Sequence, residues 1–272
     1  MSRGYGFGKH KPVRKILRVF EYILKSDFIE VEGNKMFLGK GDPHNISIEG
    51  VFGKLDTETI KNSIKTGDIV VDLGANIGYY TLIAAKLVGD KGKVFAFEPE
   101  PRNFEILKKN VEINGYHNVI LEQKAVSDIH EKINLYLSKG IGTHSIKSNK
   151  NTTMQTIQTE SVRLDDYFSD LNLTDKINFI KIDVEGAEFR VLNGMNIILK
   201  QSKHLKIFTE FARDLIIESG TEPKDMLELL FNNGFKILYV DDEKNCLVPI
   251  NIEKLLNVDD SKTINVLCER NF

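Results

Sequence analysis

The sequence predicts an α/β fold: a doubly wound, largely parallel sheet preceded by a helical and hairpin extension. Three observations carry that prediction. From Asp68 onward, short apolar runs alternate with amphipathic stretches of helical period. A glycine-rich loop joins the first such run to the first such stretch. Several runs end in an acidic residue, where open parallel sheets meet their ligands.

Each element follows in order. Residues 12–25 set Val13, Ile16, Leu17, Phe20, Ile23 and Leu24 at helical spacing, with Arg14, Lys15 and Arg18 largely on the other side. Residues 28–38 read as a hairpin turning at Gly33-Asn34, and residues 56–65 as a helix. Strands are expected at 69–71, 94–97, 119–121 and 133–137, with helices at 79–88 and 101–114. Residues 138–160 are rich in Gly, Ser, Thr, Asn and Gln and read as a long loop of the kind that covers active sites. A strand at 177–182, a helix near 188–200, a strand at 205–211, a helix at 223–232 and strands at 235–240 and 263–268 complete the pattern. The expected division is an extension over 1–65 and a sheet domain over 66–272.

The 272 residues are 41% hydrophobic and 28% charged, a globular composition rather than a disordered one. The net charge of -2 argues against wholesale non-specific nucleic-acid binding. That near-neutral sum hides an asymmetry. Residues 1–25 hold seven basic side chains and one acid, while the remaining 247 residues hold 30 basic and 38 acidic. A basic helix with one apolar face suits packing on the core, or peripheral contact with an acidic surface. An oligomer is compatible with both. Cys246 and Cys268 lack metal-ligand spacing and read as free buried thiols. No run approaches the roughly 18 apolar residues of a membrane span, and no apolar signal core is present. A reducing, cytoplasmic location is expected.

The chemistry is concentrated at strand ends. Asp72-Leu-Gly-Ala-Asn-Ile-Gly-Tyr-Tyr follows a strand and opens a helix, and Gly74 and Gly78 permit a tight turn and close backbone approach. Asp72 would repel a pyrophosphate but tolerate an ammonium or a sulfonium. Glu98 lies about 20 residues beyond the loop, at the next strand end, where a carboxylate can accept both hydroxyls of a ribose. Small residues at Ala125-Val126 suit a slot for an adenine face. The strand Ile180-Lys-Ile ends in Asp183, with Glu185 alternating with it in extended geometry and Glu188 in the first turn of the next helix, complementing its dipole. Asp183 is the foremost candidate for the catalytic centre. His144 in the polar loop and Glu210 at the end of the following strand are the other candidates. Asp183, Glu185 and Glu210 are oxygen donors of the sort magnesium or calcium takes, but their spacing matches no metal motif, and no metal is expected.

Three of these motifs, Asp72-Leu-Gly-Ala-Asn-Ile-Gly-Tyr-Tyr-Thr-Leu, Phe97-Glu-Pro-Glu-Pro with Asn103, and Ile182-Asp-Val-Glu-Gly-Ala-Glu, resemble the FkbM-type S-adenosylmethionine-dependent methyltransferases over roughly residues 66–240. The resemblance implies a Rossmann-like class I methyltransferase sheet, S-adenosyl-L-methionine as cofactor, and O-methylation of a hydroxyl on a sugar, glycolipid or natural-product acceptor. Carried over by position, Asp72, Gly74, Asn76 and Gly78 would hold the methionine part and Glu98 the ribose. Ala75, Tyr79, Pro99 and Asn103 would be further cofactor-binding residues. Ala125 and Val126 would flank the adenine, and Asp183 would lie beside the transferred methyl. Two rivals stay open: a nicotinamide-dependent oxidoreductase on a similar fold, disfavoured by Asp72 and by the missing Gly-x-Gly-x-x-Gly spacing, and a non-catalytic module that kept the cofactor pocket.

Overall fold

The computed structural model describes residues 28–39, 51–138, 152–258 and 263–270. The helix expected at 12–25 lies outside them. The strands are β1 (Ile29–Val31), β2 (Asn34–Met36), β3 (Ile69–Leu73), β4 (Lys93–Phe97), β5 (Val119–Glu122), β6 (Ala125–Val126), β7 (Lys132–Ser138), β8 (Thr152–Val162), β9 (Phe179–Ile182), β10 (Lys206–Ala212), β11 (Phe235–Asp241), β12 (Cys246–Ile250) and β13 (Thr263–Arg270). The helices are α1 (Lys54–Ser63), α2 (Tyr79–Val88), α3 (Pro101–Ile113), α4 (Leu164–Asp170), α5 (Glu188–Asn193), α6 (Asn196–Gln201), α7 (Arg213–Glu218), α8 (Pro223–Asn232) and α9 (Ile252–Leu256).

Eight strands form the central sheet in the order β12-β11-β13-β10-β9-β3-β4-β5. The run from β10 through β9 and β3 to β5 is parallel. β13 is antiparallel to both β10 and β11. Parallel strands covered on both faces need apolar residues throughout, and all four residues of β9 are buried despite one being a lysine. Alternate side chains divide between two cores. Val70, Ala96, Phe179 and Phe208 pack with α1, α2, α3 and the β1–β2 hairpin. Val71, Phe95, Ile180 and Ile207 pack with α4, α5, α6 and α8.

The hairpin turns one residue earlier than expected. Glu32 (φ 51°) and Gly33 (φ 72°) are its central residues, both left-handed as a type I′ turn requires, and Asn34 already belongs to β2. Two asparagines one turn apart, Asn110 on α3 and Asn114 at its C-cap, then clip β2 and the residue after it. Asn110 accepts from Phe37 N (2.6 Å) and donates to Phe37 O (3.0 Å), and Asn114 does the same with Lys35 N and O (2.9 and 2.7 Å).

Three further expectations need correction. Of the polar stretch read as a loop over 138–160, residues 139–151 lie outside the described residues, and the part from Thr152 on is β8, which pairs antiparallel with β7 and parallel with β6 in a separate three-stranded sheet. Thr156, Gln158 and Glu160 are exposed, so the polar composition reflects one solvated face of a strand. The single helix expected over 188–200 is two, α5 and α6. A Cβ on Gly194 would stand 2.2 Å from Ser127 O, and Asp165 caps α6 by accepting from Ile197 N and Ile198 N. Of the two thiols, Cys268 is buried but Cys246 is exposed, because β12 is the sheet's edge. Among the described residues, no helix is long and apolar enough to cross a membrane.

Candidate active site

From β3 the chain continues to β4 and β5 on one side, while β9 leads to β10 on the other. The carboxyl ends of β3 and β9 therefore flank the switch in strand order, where a crevice opens. The β3–α2 loop is drawn tight there. Gly74 N and Ala75 N both donate to Phe97 O (3.0 Å each), and Gly78 N donates to Ala75 O (2.8 Å). Gly74, Asn76 and Gly78 all have positive φ (72°, 51° and 98°). At Gly74 a Cβ would stand 1.9 Å from Asp183 O, so only glycine lets the two loops touch.

Glu98 is 5% exposed. Its Oε1 accepts from Glu100 N (2.9 Å) and its Oε2 from Asn76 N (2.7 Å), which leaves each oxygen a further lone pair. Burial raises its pKa to about 7 against the pull of those two amides. Glu100 in turn caps α3 by accepting from Asn103 N (2.7 Å), with Pro101 in the first turn.

On β9, Lys181 is 5% exposed. Its Nζ lies 3.1 Å from Asp183 Oδ2 and 3.6 Å from Asp72 Oδ1, and 5.2 Å from the centre of the Tyr80 ring. Asp72 is also buried, and its Oδ2 accepts from Thr81 Oγ1 (2.6 Å). The chain leaves extended geometry after Asp183, because Glu185 (φ 52°) and Gly186 (φ 93°) are left-handed. Asp183 and Glu185 are therefore not alternating strand positions, as the sequence had implied. Glu188 accepts from Val184 N (3.3 Å) and Gly186 N (3.1 Å), bracing this turn.

These carboxyls crowd one another. Burial and the neighbouring Asp183 charge raise Glu185 to about 8. Burial raises Glu188 to about 7. Glu210, on β10, is raised to about 9 by burial and by the charges of Asp183, Glu185 and Glu188. Beyond them Asn265 of β13 donates to Asp56 Oδ2 of α1 (3.0 Å), where burial and the Asp242 charge raise Asp56 to about 6. Among the described residues, no three metal-donor side chains converge on one point.

An open cavity lies in the crevice, with about 670 Å³ of space between its walls when the open mouth is included. Of the expected residues, Gly74, Asn76, Glu98 and Pro99 line it, as do Asn103, Ala125, Val126 and Asp183. The others stand behind it or apart. Asp72 is buried near the end of β3 and Ala75 within the loop, and Gly78 is the N-cap of α2. Tyr79 is buried, with its hydroxyl accepting from Phe52 N (3.1 Å). Glu210 is outside the lining, and His144 is outside the described residues. Lys181 was not anticipated, although its signal was present: a lysine between isoleucines in a buried strand demands a partner. The Asp56–Asn265 pair had no such signal, since its members are 209 residues apart.

The methyltransferase FkbM domain model matches residues 72–237. The hexuronic acid methyltransferase AglP of Haloferax volcanii is 32% identical over 165 residues, 60% of this chain and 61% of that protein. Methyltransferase 1 of Beauveria bassiana is 26% identical over 145 residues, 47% of this chain and 58% of that protein. The chain thus spans about three fifths of the length of each of these curated relatives. The crystal structure of methyltransferase FkbM from Methylobacillus flagellatus superposes with a TM-score of 0.44 and 15% identity, over 78% of this chain and 50% of that one. With the domain matched over more than half its length, the chain belongs to the FkbM family of S-adenosylmethionine-dependent methyltransferases.

Proposed function

We propose that this chain transfers the methyl group of S-adenosyl-L-methionine to a hydroxyl of a sugar or another small acceptor. The observation that carries this reading is the convergence of the Gly74–Asn76 loop, Glu98, Ala125-Val126 and Asp183 on one cavity. The residues present fit the cofactor. Asn76 Oδ1 is a buried acceptor without a hydrogen-bond partner and sits in the cavity wall. Asp183 supplies a carboxylate suited to a sulfonium, and Ala125 and Val126 supply an apolar wall suited to a base.

When bound, the cofactor supplies an activated methyl group. The chain's own work is then alignment, exclusion of water and removal of a proton. Glu98 uses its free lone pairs for the ribose hydroxyls. The β3–α2 loop presents backbone amides and Asn76. Asp183, with its side chain 40% exposed on the cavity wall, accepts the acceptor's hydroxyl proton. Glu210 stands outside the cavity lining, and burial with the nearby Asp183 charge raises its pKa, which favours Asp183 over Glu210 as that base. The sugar class is favoured by the likeness to a hexuronic acid methyltransferase. A small acceptor is favoured over nucleic acid by the net charge of -8 carried by residues 26–272.

Titration calorimetry with S-adenosylhomocysteine and with NAD, followed by turnover of labelled cofactor on a panel of uronic-acid glycans, neutral sugars and simple alcohols, tests this reading. Binding of S-adenosylhomocysteine and methylation of a glycan hydroxyl are expected. Tighter binding of NAD would end it. Glu98 adds a pH signature. Its ribose-accepting form is the carboxylate, which is lost as pH falls through about 7. Affinity for S-adenosylhomocysteine is expected to drop about tenfold between pH 8 and pH 6. Glu98→Gln should bind more weakly at pH 8 and flatten this dependence, and a flat wild-type profile would contradict the assignment.

A further inference from the structure

We infer that Lys181 is a positioning residue for methyl transfer: it holds Asp183 at the cavity wall and balances the carboxylate charge facing the cofactor's sulfonium. The inference rests on the reading above.

The strand pairing puts the lysine where it is. Asp72 and Lys181 are register partners across β3 and β9, so their side chains stand on the same face of the sheet. Asp183 follows Lys181 by two residues and reaches the same side, where the Nζ contacts both acids. Burial alone would favour the neutral amine, but the charges of Asp183 and Asp72 outweigh it and the lysine's pKa is raised. The site therefore keeps a buried ammonium, packed over Tyr80.

The contacts are unequal, and the inequality is informative. A lysine serving only to neutralise a buried acid would lie closest to Asp72, which is 2% exposed. Its Oδ1 has no hydrogen bond and meets the ammonium only at 3.6 Å. The shorter contact, 3.1 Å, goes to Asp183, whose side chain is 40% exposed and which water could solvate. For Asp183, which does not depend on the ammonium for solvation, the contact fixes geometry. One oxygen of Asp183 is committed to Lys181, which leaves the other for the cavity. The same ammonium offsets part of the negative charge around the crevice, so the cationic cofactor is not held more tightly in its ground state than catalysis can use.

The test compares Lys181→Met, Lys181→Arg and wild type by calorimetry with S-adenosylmethionine and, separately, with S-adenosylhomocysteine, which lacks the sulfonium charge. Removing the cation should raise the ratio of S-adenosylmethionine to S-adenosylhomocysteine affinity roughly fivefold. Turnover on the glycan acceptor should fall about 10²-fold. Lys181→Arg should keep the ratio within about twofold of wild type, because its charge persists. A purely structural lysine would move both affinities together, and an unchanged ratio would overturn the inference. Should Lys181→Met fail to fold, Lys181→Gln, which is one bond shorter but keeps a donor, is expected to shift the ratio the same way. A wild-type chain that binds neither compound would overturn the methyltransferase reading and this inference with it. Wild-type binding with an unmoved ratio in the variant would overturn this inference alone.

Discussion

Asp183→Asn is expected to lower turnover by about 10³-fold while leaving affinity for S-adenosylhomocysteine within a few fold. The amide keeps the size of the carboxyl and still offers Lys181 an oxygen, so the clip on β9 survives. It cannot take up a proton from an attacking hydroxyl. The tight loop is held by backbone contacts, Asp183 N to Leu73 O (3.2 Å) and Gly74 N to Phe97 O (3.0 Å), which the substitution does not touch. Single-turnover measurement on the glycan found by the panel, beside calorimetry with S-adenosylhomocysteine, separates chemistry from binding. Wild-type turnover in Asp183→Asn would remove Asp183 from the role of base. A parallel collapse of binding would make it a cofactor ligand alone.

Gly74→Ala is expected to weaken S-adenosylhomocysteine binding by more than about 10²-fold, and to lower the melting temperature. Two penalties combine. The left-handed backbone at φ 72° is unfavourable for any residue with a Cβ, by about 1–2 kcal/mol. The added Cβ also meets a backbone oxygen at 1.9 Å, a contact that no rotamer change relieves. Either the β3–α2 loop or the end of β9 must move, and both line the cavity. Gly115→Ala is the control. Its φ is 68°, but nothing lies within 4 Å of the new Cβ, so it should show the backbone penalty alone and bind normally. Equal binding losses in the two variants would mean that the close approach at Gly74 is unimportant.

Much of the sheet could be read from sequence because parallel strands buried on both faces are short, uninterrupted apolar runs. α2 and α8 have the expected bounds, and most other elements lie within a few residues of expectation. The cavity-lining residues Gly74, Glu98 and Asp183 were legible for a related reason: each sits at the end of such a run, where the topology brings strand ends together. What was not legible depends on tertiary partners. β8 looked like a loop because one face is solvated and polar. The break between α5 and α6 depends on Ser127, far away in sequence, approaching Gly194. The turn at Glu185 and Gly186 upset the alternation expected after Asp183, since local composition does not announce a left-handed glutamate.

The position of β13 bears on how the chain reaches this state. It is the last described strand, yet it occupies the interior of the sheet between β10 and β11. On the ribosome, β10 and β11 are synthesised before the strand that separates them, and until it arrives each presents an unpaired edge. The parallel half from β5 to β10 can assemble on the emerging chain, but the other half must wait until β13 has emerged. A nascent chain paused before β13 would expose two open edges and would be the form most prone to pairing with its neighbours.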